Sequence, residues 1–585
     1  MDRQPPRTTS EEIDLYIRTY YSLLRSSGEL RVRAFEEAHA HSSSSLHAGA
    51  RDLVPDVAAF AYSSARLPAC MPKVERIILG QSHEHFEAAG FAVREWQRVQ
   101  TRGRRRPLRW DGGSTLCAFV TSISDIDDLI PIVTAYQLEW NKMHQFLGQS
   151  ALGRQLAAQP DEARDTPTPQ GVASELDLAE LGRVLSLETG GIATLQAALG
   201  ESFLTGVRAI ARRPADLRVR LLAGTYSQYQ RAAQRWWSGI EPSYVRSEHP
   251  RRPAVYFVSS NSHSLNNLLG GYARVHRDRL VRFVRERDPE QLSSTLAEAI
   301  AAADQARTDN LLYYLLRSFL HDGSGTSYRD EVRSFDAESG IVSIESPGHI
   351  DVSAQCIEIA RLRPERVDPR LVLPGFSALE RSDAVILNID YPLGMAAYHH
   401  LSRLAQGVGE IRGIYVMGKA ATLNSRIGDV MISTVVHDEH SQNTYLLKNC
   451  FSTTDVQPYL TFSTVLDNQK ALTVRSAFLQ NREYMSGFYK EGFTVLEMEA
   501  GPYLSAIYEL VNPNRHPKDE IVHLSTATPF DVGILHYASD TPYSRRQSLL
   551  SKSLSYFGVE STYGCAIAIL ARILRSEIAR AQSLP

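Results

Sequence analysis

Ile414-Tyr-Val-Met-Gly418-Lys419-Ala420-Ala421-Thr-Leu-Asn-Ser-Arg-Ile427-Gly428-Asp429-Val430 is the stretch whose reading decides the fold. An apolar run enters a turn of small residues, and a second apolar run opens with Ile-Gly-Asp. Short apolar runs bounded by glycine and small polar residues read as buried strands. The texture repeats on both sides: Ile341–Ile344, Ala384–Ile389, Gly413–Met417, Asp429–Val436, Thr494–Met498 and Gly533–Tyr537 are expected strands, separated by helical stretches. Such alternation predicts an α/β domain around a central sheet.

Upstream the pattern is mostly helical. Ile13, Tyr16, Ile17, Tyr20, Tyr21 and Leu24 recur at three- and four-residue spacing, which predicts one helix over about 12–40. Leu116–Val120 and Pro253–Val258 are short apolar runs. Each runs into Ser-rich residues and then a helix, and the two βα units look alike. A helix is expected from Leu129 to about Leu147, and another from Leu265. The stretch 157–175, rich in Pro, Asp, Thr and Gln, reads as a linker or long surface loop. The expected organisation is a mostly helical N-terminal region with some α/β character over 1–335, in one or two subdomains, followed by an α/β domain over 336–585.

With 585 residues the chain exceeds one ordinary domain. Lys+Arg total 63 against Asp+Glu 66, a net charge of -3, so nothing global marks a nucleic-acid or anionic-membrane partner. Five scattered cysteines without a CxxC pair fit a reduced, cytoplasmic setting rather than a disulfide framework or structural zinc. No signal-peptide pattern opens the sequence and no run of about 18 apolar residues occurs, so a protein that does not span a membrane is expected.

Two further segments carry chemistry. Val495-Leu-Glu497-Met498-Glu499-Ala500-Gly-Pro-Tyr503 is a strand ending in paired carboxylates at the start of a helix. Ile534-Leu-His-Tyr-Ala-Ser539-Asp540 is a strand ending in Ser-Asp. Ahead of all three motifs, Val385-Ile-Leu-Asn-Ile-Asp-Tyr-Pro-Leu393-Gly394 is a strand leading through glycine into a helix. In this order and spacing they resemble the nucleoside phosphorylase and nucleosidase superfamily, over about Asp383 to Arg575. The resemblance implies a three-layer α/β domain of nucleoside-phosphorylase type and cleavage of a purine N-glycosidic bond, by hydrolysis or phosphorolysis. It implies a nucleoside or nucleotide as the small-molecule partner, a homo-oligomer, and no metal or organic cofactor, with inorganic phosphate as a possible co-substrate.

Breaking that bond builds positive charge on the ribose and negative charge on the departing base, so the site wants a carboxylate near the sugar and an acid near the base. By the resemblance, Glu499 and Met498 match the ribose-binding pair and Asp540 the acid. Glu497, Gly418, Lys419, Ser539 and Gly394 line the site, and Phe478 stands against the base. The plainer readings are a dipole-favoured helix-start carboxylate for Glu499, a turn cap at Thr541-Pro542 for Asp540, and core packing for Phe478. Gly418-Lys419-Ala420-Ala421 departs from the family turn. Lys419 supplies a point charge suited to phosphate, and the missing second glycine removes a close backbone approach. No nucleophile-activating acid or arginine phosphate clamp is assigned. Two alternatives therefore stand beside the enzyme: an inactive nucleotide-binding sensor, and a triggered nucleotide-depleting signalling or defence effector.

Other clusters have structural readings. Asp125, Asp127 and Asp128 read as a helix start, with Ser124 as cap and Asp127 at N3, rather than a Mg²⁺ site. Arg102–Arg106 reads as a solvated loop. Ser260-Asn261-Ser262-His263 suits either an anion cradle or a simple turn.

Overall fold

In a computed structural model the described residues are 10–26, 28–104, 106–159, 176–245, 252–321, 326–524, 528–541 and 556–583. The chain divides into two compact units. Unit 1 holds Met1–Tyr229 and takes back Val474–Gly487, and unit 2 holds Gln230–Thr473 and Phe488–Pro585. The expected division at 335/336 thus falls inside the second unit. The reason is the Pro253–Val258 run, which becomes a central strand of the C-terminal sheet rather than part of the N-terminal region. Most of the 157–175 stretch lies outside the described residues.

Unit 1 contains β1 (Leu30–Arg31), β2 (Arg76–Gly80), β3 (Gln97–Val99), β4 (Leu108–Trp110), β5 (Thr115–Phe119) and β6 (Arg218–Leu221), in the order β1-β6-β2-β5-β4-β3. It is more α/β than its helical periodicity suggests. The helix expected over 12–40 breaks into α1 (Glu11–Leu24) and α2 (Arg33–His41), because Gly28 adopts φ +137° and the chain then pairs briefly as β1. After α3 (Val57–Ala65), the long helix α4 runs Ile123–Gln149.

Helix α4 starts earlier than expected: the cap is Ser122 and the N3 acid is Asp125, closing a capping box. Arg106 donates to Asp125 at 3.0 Å and to Asp128 at 3.1 Å, and Arg104 grips Asp128 at 2.6 and 3.0 Å. Arg106 is 5% exposed, so this part of the basic cluster is an internal counter-charge and not a solvated loop. Asp127 accepts from the Tyr20 and Tyr21 hydroxyls.

Unit 2 is built on eleven strands among the described residues. They are β7 (Ala254–Ser260), β8 (Ile341–Ile344), β9 (Ala354–Glu358), β10 (Ala384–Asp390), β11 (Ile411–Thr422), β12 (Val430–Asp438), β13 (Thr444–Leu446), β14 (Val465–Thr473), β15 (Phe493–Glu497), β16 (Ile521–His523) and β17 (Asp531–Asp540). The order is β16-β13-β12-β14-β15-β11-β7-β10-β9-β8, with β17 paired to β11 and β12. Side chains of β7 alternate between two cores: Tyr256 and Val258 join one cluster, Val255 and Phe257 the other. Both faces are therefore covered, as the parallel strands at the centre of this mixed sheet require. Four helices matter for the site: α5 (Ser264–Gly270), α6 (Ala396–Gly407), α7 (Ala500–Val511) and α8 (Tyr556–Ser583). Leucine and isoleucine residues of α8 enter the first cluster, while Tyr503 and Leu504 of α7 enter the second. The molecule is a mixed α/β protein whose C-terminal unit has the expected layered arrangement.

Candidate functional site

Strands β7, β10, β11 and β17 run parallel, so their C-terminal ends share one edge of the sheet. Strand β7 lies between β10 and β11, and the chain crosses it in passing from one to the other. Reversal of strand order opens a crevice outside the strand ends, the usual ligand position in an open α/β sheet. Register places Asp390 beside Ser260, Ser259 beside Val416, and Gly418 beside His536.

Glu499 is the cap residue of α7, immediately beyond β15. Its Oε1 accepts from the backbone N–H of Gly394 at 3.5 Å, joining the end of β15 to the β10–α6 turn. Gly394 has φ +52°, a left-handed backbone that a side chain would strain. Gly418 is needed for space: a Cβ there would lie 3.2 Å from the Tyr391 ring and 3.9 Å from His536.

Glu497 is turned into the protein. Its Oε2 accepts from the backbone N–H of Glu499 at 2.7 Å and of Ala500 at 2.6 Å, and its Oε1 accepts from the Thr473 hydroxyl. Burial, with the charge of Glu499 next in effect, pushes the Glu497 carboxyl up to about 8. His536 Nε2 lies 3.9 Å from Glu497 Oε2, yet burial pushes that imidazole down to about 4. Around neutral pH the contact therefore joins two uncharged groups and is no ion pair. Nδ1 of His536 is buried without a hydrogen-bond partner among the described residues.

Met498 and Glu499 are half-buried at this edge, as are Ser539 and Asp540 at the end of β17, while Lys419 is exposed. The Ser539 hydroxyl donates to Asp540 Oδ2 at 2.9 Å. A register shift between Ala420 and Ala421 sets Asp540 opposite Ala421. Pro542, half of the alternative cap reading for Asp540, lies outside the described residues.

Phe478 has a different place. It belongs to unit 1, where its buried ring packs edge-on against Tyr62 at 5.1 Å and beside His39 and His47. The expectation that it faces a base is corrected: it is a core ring of unit 1, which the chain revisits between β14 and α7.

The structure gives the Ser260–His263 turn, which suited either an anion cradle or a simple turn, partners that sequence reading passed over. The Ser260 hydroxyl donates to Asn388 Oδ1 at 2.7 Å, Asn388 Nδ2 donates to the Asn261 carbonyl at 3.0 Å, and Gln355 donates to the Ser262 carbonyl at 2.9 Å. Asn261 Oδ1 accepts from the N–H groups of His263 and Ser264, while its Nδ2 is buried without a hydrogen-bond partner among the described residues. His263 Nδ1 lies 3.3 Å from the Tyr563 hydroxyl. The available signal was a polar residue inside an apolar strand, as in Ile386-Leu-Asn388-Ile and Ile534-Leu-His536-Tyr. The look-alike turn of unit 1 is filled from within, since Asp125 Oδ2 accepts from the N–H groups of Thr121 and Ser122. The unit 2 turn uses a neutral amide in that place, and its donor remains open.

Among solved structures, one described as a methylthioadenosine nucleosidase from Weissella paramesenteroides is similar at 12% identity. It covers 43% of this chain and 95% of that chain, with a TM-score of 0.28. One described as a 5'-methylthioadenosine/S-adenosylhomocysteine nucleosidase from Borrelia burgdorferi, bound to adenine, is also 12% identical and covers 42% and 95%, at TM-score 0.28. A methylthioadenosine phosphorylase from an antarctic soil metagenomic library is 9% identical and covers 34% and 74%, at TM-score 0.25. No curated protein matches in sequence, and no helix among the described residues is long and apolar enough to cross a membrane. Residues 32–575 match a family of unknown function, DUF6909, and the protein belongs to that family.

Proposed function

We propose that unit 2 cleaves the N-glycosidic bond of a purine nucleoside or nucleotide. The observation that carries this reading is the convergence at one sheet edge of Glu499, fixed against Gly394, with Gly418 and the Ser539–Asp540 strand end. A carboxylate rigidly placed by a helix start is suited to the hydroxyls of a ribose and to the positive charge that develops on it. Asp540, half-exposed at the neighbouring strand end, is the group to protonate or hydrogen-bond the departing base. Met498 packs against the sugar in this reading, and Lys419 at the rim meets a phosphate, whether a 5′ substituent or an inorganic co-substrate.

Glu497 takes a different role from direct ligand binding. Both oxygens are engaged by Thr473 and by the start of α7, so it holds the backbone of Glu499 in place. In this reading the Asn261 Nδ2 donor, buried without a hydrogen-bond partner among the described residues, serves the ligand.

The test is chromatography of the purified chain incubated with a panel of nucleosides and nucleotides, with and without phosphate. Release of free base is expected, and its dependence on phosphate separates phosphorolysis from hydrolysis. No base from any substrate, together with ligand-induced thermal stabilisation, would replace this reading with that of a nucleotide-binding sensor.

A further inference from the structure

Unit 1 contains a sealed line of titratable groups that the proposed reaction does not use. The Tyr16 hydroxyl of α1 lies 3.2 Å from Nδ1 of His39 on α2. His39 Nε2 lies 2.9 Å from His47 Nδ1, and His47 Nε2 lies 2.7 Å from Oε1 of Glu139 on α4. Both imidazoles are 1% exposed and Glu139 is 0% exposed. Lys142 Nζ lies 2.7 Å from the same Glu139 oxygen and also donates to the Gly49 carbonyl. The backbone N–H of Asp56 donates to the other Glu139 oxygen, and Phe478 packs on both imidazoles.

With both imidazoles neutral, the protons in this line have one consistent arrangement. Glu139, facing the Lys142 ammonium and an N–H donor, accepts from His47 Nε2–H. His47 Nδ1 is then the acceptor for His39 Nε2–H, which leaves His39 Nδ1 to accept from the Tyr16 hydroxyl. An added proton enters at His39 Nδ1. The Tyr16 hydroxyl must then turn to Thr134 Oγ1, at a poorer 3.4 Å. The other charged groups near the line are Asp56, whose carboxylate caps α3, and Asp127, which the Tyr20 and Tyr21 hydroxyls already hold. The new imidazolium would lie behind His47, one ring removed from Glu139, whose contact with Lys142 is already made, and away from water.

We propose that Tyr16–His39–His47–Glu139 is an acid-operated latch: with both imidazoles neutral it clasps α1, α2 and the Phe478 segment onto α4, and protonation at His39 releases them. Burial, with His47 and Lys142 as lesser causes, holds the His39 imidazole well below the ordinary histidine range. A histidine depressed in the folded state contributes stability that is fully present above its unfolded value. That stability is lost as pH falls below about 6.5 toward the folded value. Taking up one proton on opening raises the opening constant by up to about tenfold per pH unit in that window.

Hydrogen exchange of the full-length protein between pH 8 and pH 5, corrected for intrinsic rates, reads this directly. Protection of residues 11–24, 33–50 and 474–487 is expected to fall by up to about tenfold per unit below pH 6.5, while the β11 core of unit 2 holds. Protection of those segments that is flat with pH would overturn the latch. In His39→Gln, which keeps amide donors and acceptors but cannot titrate, the pH dependence should vanish, and an unchanged profile would also overturn it. Should that variant fail to fold, nitrogen-15 signals of the wild-type imidazoles decide: Nε2–H tautomers for His39 and His47 at pH 7.5 are expected, and a cationic His39 at that pH refutes the proposal.

Discussion

The side-chain carboxyl of Glu497 accepts from the backbone N–H of Glu499 at 2.7 Å, so the first acid of the Glu-Met-Glu pair fixes the second. The Glu497 carboxyl is raised to about 8 by burial and by Glu499. A carboxyl raised in the folded state binds its proton more tightly there than in the unfolded chain. The stability it contributes is full below the unfolded value and declines as pH rises toward about 8. Glu497→Gln retains an acceptor for the two N–H groups and removes the titration. Thermal melts should show the variant gaining on wild type as pH rises from 5 to 8, by a few °C at the upper end, at roughly 2–4 °C per kcal/mol. Parallel curves for the two proteins would show that Glu497 does not titrate in this range.

Asp540→Asn keeps size and a hydrogen-bonding head but cannot deliver a proton. Base release should fall at least ~10-fold, at the lower edge of what loss of a general acid costs. Ligand-induced thermal stabilisation should persist. Equal rates for variant and wild type would remove Asp540 from the chemistry.

The strands with clean apolar runs were legible in sequence: β8, β10, β12, β15 and β17 stand within a few residues of expectation, and β11 was found too, but it runs on through Thr422, so the small-residue turn expected at Gly418–Ala421 is strand paired with β17. Strand β14 was not, because Asp467, Asn468, Gln469 and Lys470 interrupt its apolar run, and Asn468 takes φ +55° at a register irregularity against β12. The direction of Glu497 was equally hidden, since an acid at a strand end serves a ligand or a helix start with the same letters. Phe478 was misplaced because sequence order puts it between two strands of unit 2, whereas the chain leaves that unit at Val474 and returns at Phe488. Asn388 and His536 stand inside expected strands and were assigned no role, although a polar residue on a buried strand must find a partner or a ligand.

Lys419 is exposed at the end of β11 beside the register position of Tyr537. If it meets a phosphate, Lys419→Gln should weaken nucleotide binding by about 5–30-fold, the equivalent of one charge-assisted contact of about 1–2 kcal/mol. Nucleoside binding should change little. Calorimetry with a matched nucleoside and nucleotide checks this, and equal losses for both would move Lys419 away from the phosphate.

Phe478→Ala removes a ring that is 1% exposed and packed against Tyr62, His39 and His47. Emptying such a site costs about 3–5 kcal/mol, so unit 1 should lose that much in denaturant titration. Since the ring serves the core of unit 1, ligand affinity per folded molecule should be preserved. A selective loss of base recognition with unchanged stability would restore the expectation that Phe478 faces the base.

Arg106 is the sharpest test of the claim that its part of the basic cluster is internal. It is 2% exposed in its side chain and pairs with Asp125, 7% exposed, and Asp128, 1% exposed. Removing one member of a buried pair strands the other charge, at about 3–5 kcal/mol. Arg104 still holds Asp128, so Arg106→Met should leave Asp125 as the stranded group and place the loss at the start of α4. The double variant Arg106→Met with Asp125→Asn removes both charges and should recover part of the loss, although the capping bonds from Thr121 and Ser122 then meet a neutral amide oxygen. Urea unfolding of the three proteins measures the coupling. Additive losses would mean that the two residues do not form the pair, and that Arg106 stands in solvent after all.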